Sequence, residues 1–528
     1  MTARAMIPRR LLLAGAGASL AAPAIAQGAR ARVLRFVPQT SLTSLDPIWT
    51  TASVTTSHGY YVFDTLYGVD DSLTARPQMA EGHTVSADGR TWLIRLREGL
   101  RFHDGEPVRA QDCAASLARW SKRDSFGQVL ARAVDAWEVA DDRTLRIRLN
   151  RPFPPLLDAL AKPTSLAAFI MPERLARTDA NTQVTEMVGS GPYQFLKDEF
   201  VSGSRVAYRA FPGYQPRPEP AQFTSGGKRA YFERIEWQVI SDAATAAAAL
   251  RNNEVDWWEY ALPDLIPSLQ RGGVTIATGD PLGYISILRF NSLIPPFNNP
   301  ALRQAVLSAI DQADYMRAVN GDAVRWRTCA AVFPCGAPHI REATGLLKDK
   351  PNLDRARAAV KAAGYGGERV VILNPGDFPS IAPLGEVTAD LLKRLGMNVD
   401  LQTMDWGTVG QRRTQKATTE AGGWNIFHTW TPGASITNPA VNYYIRGLGQ
   451  AGWFGWYENP RIETLTEEWL QAGSEADLDR VFDAIQQEAL ASVPMIPLGQ
   501  YFPPTAYRSN LKGVVQGLNC YPWNVQRA

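Results

Sequence analysis

The sequence predicts an α/β protein, with α+β as the alternative, built around more than one hydrophobic core. Three observations lead there. Strand-like and helix-like patterns alternate along all 528 residues, and one core serves a chain of only ~250–300 residues. Residues 369–375, 384–395 and 398–404 read as strand, helix and strand, a β-α-β unit whose strands are parallel by default. The chain carries no solenoid period and no low-complexity tract.

Taken in order, the elements begin with a targeting segment. Arg4, Arg9 and Arg10 precede the apolar run 11–22, too short to span a bilayer, and Ala24-Ile25-Ala26 is a cleavage signal. Residues 1–26 are therefore expected to be a removable signal peptide, and Arg9-Arg10 resembles a twin-arginine export signal. Residues 92–96 alternate apolar and polar side chains as a half-buried strand does; Asp104-Gly105 is a turn pair; residues 111–120 read as a helix with Ala114, Leu117 and Ala118 on one side. The prolines of 214–220 exclude a helix or a central strand there. An alanine-rich helix is expected over 242–253, and Asn299-Pro300 opens another over 301–310. Asp354 is read as the cap of a helix over 355–363, and an amphipathic helix over 477–492 stops before Pro494.

Composition narrows the partners. The full chain carries a formal charge of +3, and loss of residues 1–26 removes three arginines and no acid, leaving zero. A neutral chain offers no electrostatic case for nucleic acid or an anionic membrane. Of the four cysteines, Cys329 and Cys335 bound a Pro/Gly-flanked loop and are expected to form a local disulfide in an oxidising compartment, while Cys113 reads as a small buried hydrophobe. Catalytic motifs are scarce: no HExxH, no GxSxG, no P-loop, and five scattered histidines without metal-site spacing. No cofactor, metal or enzymatic activity is expected. A secreted hydrolase with a cryptic triad remains the alternative from another class, because triads assemble from residues distant in sequence.

A series of short motifs carries a family resemblance. In order they are Leu45-Asp46-Pro47, Phe63-Asp64-Thr65-Leu66, the stretch 86–92 leading into 100–112, Gly189-Ser190-Gly191-Pro192-Tyr193, 253–257, Phe290-Asn291 with Leu302-Arg303-Gln304-Ala305 and Ile310-Asp311, 395–399 and 494–498. Together they span the chain beyond the signal segment and resemble the bacterial extracellular solute-binding proteins of family 5, the peptide- and nickel-binding subunits of ABC importers. The resemblance implies a two-lobed periplasmic-binding-protein fold of type II with an extra subdomain and a hinged cleft. The first lobe would take 27–284, with 68–190 as the extra subdomain; the second lobe would take 285–500; residues 501–528 would return to the first. It implies a periplasmic monomer that captures a small organic solute or peptide and delivers it to permease subunits. A ligand-sensing role shares these features.

The resemblance also locates a candidate cleft. Residues 427–439 match the second-lobe segment that faces the ligand, where dipeptide and oligopeptide binders read W-x-G-D and pair the aspartate with the ligand's α-ammonium. This chain reads Trp430-Thr431-Pro432-Gly433, and Asn438 stands at a second acidic position. A buried ammonium without its carboxylate is penalised, so an organic solute with few formal charges is expected, held by Trp430, Thr431 and Asn438. A peptide or metal-chelate binder with a different anchor is the runner-up. Lys162 and Thr164 match the segment bearing a cleft arginine in nickel binders; Trp49, Tyr501 and His428 complete the candidates.

Overall fold

The computed structural model describes residues 32–343, 346–347 and 350–528; the expected signal peptide lies outside them. Two large sheets divide the chain. A seven-stranded sheet runs Tyr193–Phe195, Arg205–Ala210, Arg234–Gln238, Val33–Val37, Trp257–Trp258, Pro504–Arg508, Val274–Thr278, so strands from both ends of the sequence meet in it. A six-stranded sheet runs Trp326–Arg327, Met495–Tyr501, Tyr284–Phe290, Ile426–Pro432, Arg369–Pro375, Asn398–Met404. A separate antiparallel sheet of four strands is formed within residues 80–149. Mixed parallel and antiparallel pairing in both large sheets, with helices packed on them, makes the class α/β.

The chain passes between the two large sheets twice through short links. Residues 279–283 join Val274–Thr278 to Tyr284–Phe290, and residues 502–503 join Met495–Tyr501 to Pro504–Arg508. Two adjacent links of this kind are where a hinge belongs, since few residues need change φ and ψ.

The β-α-β unit forms as the pattern requires, with Arg369–Pro375 and Asn398–Met404 parallel across the helix Ala382–Arg394. Several helix ends shift by one to three residues from the sequence reading, two of them for a reason seen in their caps. Asn352, not Asp354, caps Leu353–Ala362, its side chain accepting the Arg355 N–H at 3.0 Å; Asp354 lies inside the first turn, where it meets the helix dipole. The helix from Pro300 ends at Leu307 rather than Ile310, because Asp311 caps a new helix over Gln312–Val319.

The shared motifs are largely scaffold. Gly105 takes φ of 92° in the Asp104-Gly105 turn, and His103 beside it binds the Gly189 and Gly191 carbonyls at 2.8 and 3.0 Å through its N–H and Nε2. Arg303 is buried and donates to the carbonyls of Ser492, Val493 and Phe297, closing the end of the helix Glu475–Ser492. Cys329 and Cys335 are joined in a disulfide with Cα atoms 5.8 Å apart; Cys113 and Cys520 are buried free thiols.

Candidate functional site

Between the two lobes lies a cavity of about 850 Å³. Its first-lobe wall is built from loops: Trp49 and the residues after it, Arg123 and Asp124 at a helix junction, Lys162 and Thr164 after the helix Leu156–Ala161, and Leu518-Asn519 near the C-terminus. Its second-lobe wall is the end of the strand Ile426–Pro432, with Phe378, Trp406 and Tyr443.

Trp430 holds its place through strand geometry. It pairs with Ser286 across the sheet, stands edge-on to Tyr284 at 4.5 Å, and donates its indole N–H to Ser380 at 3.1 Å. The period of two puts His428 on the same face, one pair deeper. There it is fully buried, with Nε2 against Thr388 Oγ1 at 2.8 Å, and burial pushes its pKa down to about 3. His428 is thus a neutral core residue away from the cavity. Tyr501 is also buried, stacked on Tyr284 at 5.6 Å and bonded to Ser380, so it supports Trp430 from behind.

Asn438 falls outside this cavity. It lines a neighbouring one, and its Oδ1 accepts the N–H groups of Ala440 and Val441 at 3.1 and 3.3 Å, which makes it a turn cap. The wall position it was expected to fill is taken by Val441 and Tyr443. Five candidates do face the cavity: Trp49, Lys162, Thr164, Trp430 and Thr431.

The charges resolve differently from the expectation for Lys162. Its ammonium is 2.7 Å from Asp124 Oδ2 and 2.5 Å from the Ser165 carbonyl, so its charge is already answered. Asp124 in turn caps the helix Ser125–Ala131. The open cation is Arg123, which the sequence reading missed. Its guanidinium lies over the Trp49 ring at 5.2 Å and donates to the Trp49 carbonyl and Asn181 Oδ1, both at 3.2 Å. Its Nε is buried without a partner, and among the described residues no carboxylate pairs with it. Nothing in the sequence separates this arginine from a solvated one at a helix end.

Among the described residues no cluster of three or more metal-ligating side chains occurs, and the buried His58 and His428 bond to Tyr208 and Thr388 rather than to a nucleophile–carboxylate pair.

Comparison with known proteins establishes the family. Residues 74–453 match the pattern of the bacterial extracellular solute-binding proteins, family 5 Middle. The chain is 33% identical over 530 residues to the probable peptide ABC transporter periplasmic-binding protein y4tO of Sinorhizobium fredii, covering 98% of this chain and 99% of that protein. It is 25% identical to the glutathione-binding protein GsiB of Pectobacterium atrosepticum, with 86% of each covered. The crystal structure of the ABC transporter substrate binding protein CtaP from Listeria monocytogenes superposes with a TM-score of 0.79 at 18% identity, covering 94% of this chain and 99% of that one. The chain belongs to the bacterial extracellular solute-binding proteins of family 5.

Proposed function

We propose that this protein is the periplasmic subunit of an ABC importer, a monomer that binds one solute between its lobes and presents it unaltered to the permease. Residues 27–284 with 501–528 would form one jaw and 285–500 the other. The names of its relatives support the transport role, y4tO as a periplasmic peptide binder and GsiB as a glutathione binder. Closure over ligand expels water, and preferential binding to the closed form shifts the equilibrium toward it.

The observation that carries the ligand reading is Arg123. It is the one cation on the cavity wall without an acidic partner among the described residues, and it sits over Trp49 with its Nε unsatisfied. Opposite it stand the rings of Phe378, Trp406 and Trp430. This pairing fits a small organic solute or peptide with an anionic group at Arg123 and an apolar or planar portion against the tryptophans.

The test starts from solute retained by protein purified from its native host and identified by mass spectrometry. Arg123→Ala is expected to weaken its binding by roughly 10–100-fold, the worth of a charge-assisted hydrogen bond. Recovery of the solute unchanged after prolonged incubation checks capture against turnover. An undiminished affinity in Arg123→Ala, or a converted solute, overturns the proposal.

A further inference from the structure

A second cavity, of about 290 Å³, lies in the first lobe directly beneath the hinge. Gly279 and Asp280 from one link and Pro503 from the other form its roof, and Leu518 and Asn519 line both it and the interlobe cleft. Two carboxylates face it, Glu259 and Asp280, at 4% and 8% exposure. Among the described residues neither has a cationic partner. Glu259 accepts only the Gln39 N–H at 2.7 Å, and Asp280 Oδ1 accepts the Leu282 N–H at 2.9 Å. Asp280 Oδ2 is buried and accepts nothing. Four rings, Trp257, Tyr260, Tyr284 and Tyr507, line it as well, beside aliphatic and neutral polar groups such as Val514, Thr505, Gln516 and Cys520.

An unanswered buried carboxylate is expensive unless something neutralises it. Protonation is one route, and burial pushes both groups up to about 7. A bound cation is the other. Aromatic rings beside a buried carboxylate suit an organic ammonium, which is attracted by ring quadrupoles and paired by a carboxylate. The volume exceeds that of a bare ion and matches a small amine.

We propose that this hinge cavity is a binding site for an organic ammonium group, held by Asp280 and Glu259 among the rings of Trp257, Tyr260, Tyr284 and Tyr507. The group comes from one of two sources. It is the amino end of the solute, reaching past Leu518-Asn519 from the cleft, or it is a separate small amine. The proposal does not rest on the assignment of Arg123.

Choline, with 3,3-dimethylbutanol as its uncharged isostere, is the probe, followed by tryptophan fluorescence and calorimetry on the full mature protein. Wild type is expected to bind choline at least about tenfold more tightly than the alcohol, and Asp280→Asn and Glu259→Gln each to lose most of that preference. Arg123→Ala is expected to leave choline binding unchanged. Competition between choline and the native-host solute assigns the site to the solute's ammonium; independent binding assigns it to a separate amine. Equal affinity for choline and its isostere, no binding of either, or wild-type choline affinity in both carboxylate variants overturns the proposal. Glu259→Gln keeps the test open if Asp280→Asn disturbs the turn before Leu282.

Discussion

Lys162 and Arg123 show how two cations on one wall acquire different roles. Asp124 is 3% exposed at its side chain and Lys162 11%, and their 2.7 Å contact is a buried ion pair. Removing one partner of such a pair leaves the other charge stranded, at about 3–5 kcal/mol. Lys162→Met is therefore expected to lower the urea-unfolding free energy by about that amount, while solute affinity of the folded variant falls less than in Arg123→Ala. The same residues mark what can be read from sequence. Trp49, Lys162, Thr164, Trp430 and Thr431 are reachable because they stand in or beside shared motifs, and all line the cleft. Arg123 is not, because whether its partner is a carboxylate or nothing depends on loops that meet only in three dimensions. Asn438 is misplaced for the converse reason: a matching position says nothing about whether Oδ1 is spent on its own backbone.

Elements follow the sequence wherever local chemistry suffices. The β-α-β unit over 369–404 has apolar periodicity and a glycine stop at Gly396, so its helix and parallel strands are legible. Cap identity at 352–354 is not, because Asn352 and Asp354 both qualify and only the backbone path chooses. The turn Gly189-Ser190-Gly191 is set by tertiary contact. A Cβ on Gly189 would fall 2.0 Å from the Val62 carbonyl oxygen, and one on Gly191 2.7 Å from that of Tyr61. Backbone, unlike a side-chain tip, cannot swing aside. Gly189→Ala is expected to destabilise by about 1–3 kcal/mol or more, and Gly191→Ala by less. Thermal unfolding of the two variants side by side measures the order, and equal transition temperatures would sink the close-approach account.

At the scale of the molecule, the buried acid Glu259 in the cavity beneath the hinge gives stability a pH dependence with a definite sign. Glu259 has a pKa near 7 in the folded chain because burial disfavours its charge, against an ordinary 4.5. Below 4.5 both states hold the proton and the group contributes nothing. Between these values the folded state keeps a proton that the unfolded state has released, so stability falls as pH rises. Above about 7 both are ionised and the whole penalty is present, about 3 kcal/mol at ~1.4 kcal/mol per unit. The variant Glu259→Gln carries no such slope, and its new amide oxygen can still accept the Gln39 N–H. The buried histidines His58 and His428, both pushed down to about 3, tilt stability the other way below 6.5, but identically in the two proteins. The difference between them isolates Glu259. In amine-free acetate and phosphate buffers, the urea-unfolding free energy of Glu259→Gln relative to wild type is expected to rise by about 2–3 kcal/mol from pH 5 to pH 8. A difference that stays flat would mean that Glu259 is hydrated, and that the cavity under the hinge admits water beside it.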